Sequence, residues 1–271
     1  MDTIYINHPC KTKFKISSND KRLIKYLQIK YCAQSFPDYG HKYKQIIVEQ
    51  DDNNPNLFYL FYENKKYSIN NPLAYVCNLM YAKQAFVKDV FALHGAAIEY
   101  DNLAYIFLAQ TQAGKSTLTA FLALNGLGYI TDDCVMIDLN TLKVIPDFTP
   151  ISLREGGCQV LNDIGYSTDV FEVLDYPPLT GYAYMPSKST DKPKEIGAIF
   201  FIKRSDENSL AGMSCTESML SLLKAPITKY DLNKEHIQII KALASFPCYK
   251  LCYSDMEYVL KIITNEKQND Y

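Results

Sequence analysis

Nine residues, Ala109-Gln110-Thr111-Gln112-Ala113-Gly114-Lys115-Ser116-Thr117, constrain this chain more than any others. An apolar run over 104–108 leads into them, and a segment with helical periodicity follows. Strand, loop, Gly-Lys-Ser, helix is the context that a phosphate-binding P-loop requires. Backbone N–H groups of such a loop converge with those of the first helical turn, and the helix dipole adds partial positive charge there. Lys115 then reaches the β- and γ-phosphates of a nucleoside triphosphate, and the Ser116 hydroxyl ligates Mg²⁺. Ala109 stands where the pattern G-x-x-x-x-G-K-[ST] has its first Gly. That is compatible with the turn as long as φ at Ala109 stays negative. The bland alternative is an ordinary strand-to-helix turn with a chance Gly-Lys-Ser, and the flanking sequence argues against it.

An acidic pair lies at a suitable distance. The helix expected over 116–125 carries Leu118, Phe121, Leu122 and Leu124 on its apolar face, and Gly126 and Gly128 stop it. Tyr129-Ile130-Thr131-Asp132-Asp133 follows as a loop feeding an apolar strand, Cys134 to Ile137. Adjacent side chains on a strand alternate faces, so only one of the two carboxylates can point at phosphate and metal. Upstream, Leu93-His94-Gly95-Ala96-Ala97-Ile98 reads as a strand that pairs with the P-loop strand through a turn at Asp101-Asn102.

The set Leu93-His94-Gly95, Gly114-Lys115-Ser116 and Thr131-Asp132-Asp133 resembles the kinase domain of the HPr serine kinase/phosphorylases, whose P-loop is of the phosphoenolpyruvate-carboxykinase type. His94 lies 21 residues before Lys115, and Asp133 lies 18 after it; both intervals match that family. The resemblance is strong over 90–140 and weaker to about residue 265. It implies that Asp133 is the proton acceptor, that His94 supports the acidic site, that Lys115 binds phosphate, and that Ser116 and Asp133 bind Mg²⁺; Asp132 is a further catalytic candidate as the other member of the acidic pair. It also assigns Glu155 to the metal site and Arg204 to the nucleotide. About ninety residues precede His94, too few for the regulatory N-terminal domain of the bifunctional enzymes. The chain is in this respect more similar to short relatives found beside ribosomally made peptides, which phosphorylate Ser on a peptide. Full-length members assemble as hexamers, so the resemblance also implies self-association.

The expected fold is therefore α/β with a mixed sheet, built as a P-loop kinase core of the HPr kinase/PEP-carboxykinase type. A small N-terminal accessory region over 1–85 precedes a kinase domain over 86–271. In the accessory region, 45–49 and 57–62 are strand-like, 22–32 has a helical pattern, and 73–91 reads as one long helix. The stretch 175–195 holds Pro177-Pro178, Pro186 and Pro193 beside Lys188, Lys192 and Lys194. It reads as irregular, either a surface excursion or a substrate-binding loop. The C-terminal part closes with a helix over 236–245, a strand over 248–253 and a helix over 255–263 capped by Ser254.

Composition narrows the function classes. Thirty acidic against 28 basic residues leave a formal charge of −2, so no electrostatic drive toward nucleic acid is expected. No run of eighteen apolar residues exists, so no transmembrane helix is expected. Met1-Asp2-Thr3-Ile4-Tyr5 does not open a signal peptide, which makes the cytoplasm the expected location. The eight cysteines have no metal-ligand spacing and read as reduced, mostly buried thiols.

The expected activity is ATP- and Mg²⁺-dependent transfer of a phosphoryl group to a serine hydroxyl on a peptide or small protein, or on a small acceptor such as free serine. Two other classes stay open: a nucleotide-dependent binding module without catalysis, and a P-loop ATPase.

Overall fold

The computed structural model describes the chain except residues 8–11, 34, 36–41, 86–88, 110–112, 148, 227–233 and 266–271. It is a mixed α/β protein, with seven helices among the described residues. The chain divides into two compact units. The first holds residues 1–88, 148–155 and 170–185, and the second holds 89–147, 156–169 and 186–271. The expectation of one boundary near residue 85 is amended, because the chain returns twice to the first unit.

The first unit has a five-stranded sheet in sequential order: β1 (Asp2–Asn7), β2 (Lys13–Ser18), β3 (Tyr43–Gln50), β4 (Phe58–Tyr62) and β5 (Lys65–Ile69). Helix α1 (Lys21–Lys30) forms the crossover between the parallel strands β2 and β3, as parallel pairing requires. Alternation sets which side of the sheet is covered. Phe58, Leu60 and Tyr62 of β4, with Ile46 and Val48 of β3, are buried with Leu23 and Leu27 of α1 and with Leu73, Val76 and Met80 of α2 (Pro72–Ala85). Each such side chain is worth about 1.5–3 kcal/mol when fully buried. The helix expected over 73–91 ends at Ala85, and Phe91 belongs to a strand; Phe86 and Val87 lie outside the described residues.

The supposedly irregular stretch is partly regular. Strands β13 (Glu172–Tyr176) and β14 (Leu179–Tyr184) form a hairpin, and β14 also pairs with β12 (Ile151–Leu153). Pro177-Pro178 sits in the turn, where a missing N–H costs no ladder bond.

The second unit is built on a six-stranded sheet. Its members are β7 (Gly95–Tyr100), β8 (Leu103–Leu108), β9 (Gly128–Thr131), β15 (Glu195–Arg204), β16 (Ser209–Gly212) and β17 (Cys248–Tyr253). The order is β16-β17-β15-β8-β7-β9. A smaller sheet pairs β6 (Val90–Leu93), β10 (Val135–Asp138) and β11 (Val144–Ile145). Helices α3 (Lys115–Leu124), α4 (Glu155–Asp163), α5 (Cys215–Leu222), α6 (Lys234–Leu243) and α7 (Met256–Asn265) complete the elements. The expected 129–133 loop is a strand as far as Thr131, because 128–131 pairs with β7.

Local chemistry explains the turns around α3. Asp101 and Asn102, both at positive φ, make the two-residue turn of the β7–β8 hairpin. Helix α3 ends in a Schellman motif at Gly126, whose φ is 86°. Leu127 N–H donates to the Leu122 carbonyl and Gly126 N–H to that of Ala123. Helix α7 is capped by Asp255, not by Ser254: Asp255 Oδ1 accepts from Tyr258 N–H at 2.8 Å. No helix of the described residues is long and apolar enough to cross a membrane.

Candidate functional site

Sheet direction assembles the site in the second unit. Strands β8, β15 and β17 are parallel, and β9 runs with them because both β8 and β9 are antiparallel to β7. Four strands therefore end, and β7 begins, at one edge of the sheet. Ala109 leaves that edge after β8, Asp132 after β9, and Arg204 and Tyr253 close β15 and β17. His94 enters just before β7. Open α/β sheets bind ligands at such an edge, outside the carboxyl ends of parallel strands.

Lys115 is the first residue of α3 and is buried at 6 % exposure. Its Nζ donates to the Ala109 carbonyl at 3.1 Å, which ties the two ends of the loop together. Burial pulls the Lys115 ammonium below the ordinary lysine value, and the Asp133 and Asp132 carboxylates offset part of that. Gly114 caps the helix with φ 85°, a conformation that favours glycine. A Cβ at Gly114 would stand 3.1 Å from the Tyr253 hydroxyl, so that hydroxyl lies against the loop. Ala113 and Thr117 flank this turn half-buried. Ala109 is not among the described non-glycine residues with positive φ. Gln110, Thr111 and Gln112 lie outside the described residues.

The acidic pair divides its work differently from the expectation. Ser116 Oγ donates to Asp132 Oδ1 at 3.2 Å, so Asp132 and not Asp133 is the carboxylate bonded to the Ser116 hydroxyl. Asp132 is buried at 4 % exposure. Asp133 sits at φ 66°, and Cys134 N–H donates across it to the Asp132 carbonyl at 2.9 Å. That is a γ-turn of the rare positive-φ kind, which is strained.

Two more bonds hold this turn. Thr131 Oγ1 donates to the Cys134 carbonyl at 2.7 Å, and His94 Nδ1 lies 3.1 Å from the Asp133 carbonyl oxygen. A carbonyl only accepts, so Nδ1 of His94 carries the proton, and Nε2 is left for other partners. His94 thus positions the Asp133 main chain and does not bond its carboxylate. The His94 main chain is itself held, its N–H donating to the Ala225 carbonyl at 2.7 Å. Cys134, next in the turn, is buried; burial and the nearby Asp147 and Asp133 carboxylates push its thiol up.

Gly95 is the packing condition for the arrangement. It pairs with Leu108, and a Cβ there would stand 2.7 Å from the Phe107 carbonyl oxygen. Only glycine lets the strand after His94 lie this close to the strand that feeds the loop.

Arg204 is exposed beside Tyr253, its cross-strand partner; burial raises the Tyr253 hydroxyl, and the Arg204 charge opposes that. Glu155 is the exposed first residue of α4 and is grouped with the first unit. Among the described residues, no group of three or more His, Cys, Asp or Glu side chains could hold a metal ion. The donors present are hard oxygens, Ser116 Oγ and Asp132 Oδ1. They fit Mg²⁺, which usually takes one or two carboxylates and fills its shell with phosphate oxygens and water. Sequence reasoning missed Tyr253, which is 145 positions beyond Leu108 and reaches the loop only through strand pairing.

No protein-family model matches this chain. No curated protein matches it. Among solved structures, the Hpr(Ser) kinase/phosphatase from Coxiella burnetii is similar to it at 8 % sequence identity, over 65 % of this chain and 96 % of that one, with a TM-score of 0.36. A likeness at that level carries neither fold nor activity across.

Proposed function

We propose that this chain is a P-loop phosphotransferase that moves the γ-phosphoryl group of ATP to a serine hydroxyl on a peptide or small protein. The observation that carries the reading is the grouping of Lys115, Ser116, Asp132 and Asp133 at the N-terminus of α3. An ammonium, a hydroxyl–carboxylate pair and a second carboxylate are what phosphoryl transfer asks of a protein: positioning and charge neutralisation.

In this mechanism Lys115 and the N–H groups at the start of α3 bind the phosphates. Ser116 and Asp132 would hold Mg²⁺, which neutralises phosphate charge when bound. Asp133 takes the proton of the acceptor hydroxyl as that oxygen bonds to the γ-phosphorus. The bond from the γ-phosphorus to the leaving oxygen breaks, and ADP departs. His94 holds Asp133 in its strained turn, and Arg204 and Tyr253 line the same sheet edge.

The test is incubation with γ-labelled ATP, Mg²⁺ and a set of serine-containing peptides. Label on serine supports the reading. Tight nucleotide binding without transfer points to a binding module, and free phosphate without acceptor points to an ATPase. Lys115→Ala should weaken ATP binding about 10- to 100-fold, the worth of charge-assisted hydrogen bonds. Unchanged affinity in that variant would remove Lys115 from the phosphate site.

A further inference from the structure

The first unit carries a cleft of its own, of about 150 Å³. That is several times the roughly 30 Å³ that one water occupies in the liquid, so it has room for a side chain. Arg22, Asn56, Asn70 and Asn71 supply its polar lining, and Tyr176 and Pro177 part of its apolar wall.

The cleft is held by a buried anchor. Asp20 is 6 % exposed, and its Oδ1 accepts from the N–H groups of Arg22 and Leu23 at 2.9 and 3.3 Å. Its Oδ2 accepts the Tyr176 hydroxyl proton at 2.8 Å. The Asp20 carboxylate is thus committed to main chain and phenol. The Arg22 guanidinium lies over the Tyr176 ring, 5.9 Å from its centre. Arg22 makes no ion pair with a carboxylate among the described residues. The Asn71 side-chain oxygen caps α2 by accepting from Ala74 N–H at 3.0 Å, which leaves the amide NH₂ as the group it offers.

A guanidinium oriented by an aromatic face, beside amide donors, matches a carboxylate, which is planar and accepts on both oxygens. Proline and tyrosine surfaces suit the carbon stem that carries it. We infer that this cleft binds a carboxylate side chain, Asp or Glu, of a peptide, and so gives the phosphotransferase a docking site for acidic acceptors. The carboxylate site stands on the cleft alone; only its use in substrate docking rests on the proposed function.

The experiment titrates the full chain with N-acetyl-Glu-Glu-amide and with its Gln-Gln counterpart. NMR reads the Arg22 Nε–H and the Asn56, Asn70 and Asn71 side-chain amides. The Glu peptide should shift these signals saturably, with at least about tenfold higher affinity than the Gln peptide. Arg22→Ala should abolish that preference, and Arg22→Lys should keep only part of it, since an ammonium lacks the planar fork. The substitution leaves the Asp20 cap intact, because the cap uses the Arg22 main chain. Equal response to both peptides, no response, or an unaffected Arg22→Ala variant would each overturn the inference. In transfer assays with an acidic serine peptide, Arg22→Ala should raise KM about tenfold and leave kcat unchanged. Carboxylate binding without any transfer would sink the kinase reading and keep the cleft. Transfer with no carboxylate preference would do the reverse.

Discussion

Asp133→Asn separates chemistry from folding because of where Asp133 sits. Its φ of 66° is tolerated by Asp and Asn better than by other side chains. The bonds that hold the turn run from Cys134 N–H to the Asp132 carbonyl, from Thr131 Oγ1 to the Cys134 carbonyl, and from His94 Nδ1 to the Asp133 carbonyl. None uses the Asp133 carboxylate. The amide variant therefore keeps the turn, and the stability it loses is confined to the weaker compensation of the buried Lys115 charge. Loss of the proton acceptor should slow transfer by about 10²–10⁴-fold, or roughly 3–5 kcal/mol of barrier.

Asp133→Ala is the matched comparison. It loses the same proton acceptor but adds about 1–2 kcal/mol of backbone strain at positive φ. That should lower the melting temperature by roughly 2–4 °C per kcal/mol. The two variants should then be equally slow and unequally stable. A second signature follows from Lys115, whose burial the Asp133 carboxylate helps to offset. Without that carboxylate the Lys115 ammonium loses its proton at lower pH, so ATP binding in the Asn variant should fail at a less alkaline pH than in the native chain. The assay is label transfer from saturating ATP to a serine peptide, with thermal melting and ATP titration alongside. Native turnover in Asp133→Asn would refute the assignment.

Two further predictions concern the frame around the site. Gly95→Ala places a methyl group 2.6 Å from Leu108 Cδ2 and 2.7 Å from the Phe107 carbonyl oxygen. The leucine tip can move but the main chain cannot, so a loss of about 1–3 kcal/mol is expected, and an unchanged melt would contradict the packing. Ser214 caps α5 and Glu217 closes the capping box; the Glu217 carboxyl is lowered to about 2 by the Lys250 hydrogen bond first and then by Ser214. A lowered carboxylate contributes stability above its ordinary value of 4.5 that is lost as pH falls through about 2. The stability difference between the native chain and Glu217→Gln should therefore be full at neutral pH and vanish across that window in denaturant titrations. The pair is exposed, so salt should shrink the difference.

Much of the site's local grammar was legible in the letters. An apolar run, Gly114 before Lys115-Ser116, and a helical period identify strand, turn and helix, because each depends on near neighbours and on a glycine at positive φ. The β7–β8 hairpin was equally readable, since Asp101-Asn102 between two apolar segments is turn chemistry. Strand β9 was misread as loop because its four residues have no signal apart from their pairing with β7. The β13–β14 hairpin was hidden by prolines that proved to occupy the turn.

What only tertiary structure decided is which groups meet. Two adjacent aspartates look alike in sequence; a γ-turn turns Asp132 toward Ser116 and leaves Asp133 at positive φ. His94 was expected to support the acidic site; its ring bonds the Asp133 main-chain carbonyl, a partner fixed by where β7 begins. Tyr253 reaches Gly114 because β17, β15 and β8 are parallel and end together. The physical reason is one of range: propensity and turn chemistry act over a few residues, whereas strand direction and register, set by burying both faces of the sheet, bring together residues more than a hundred positions apart.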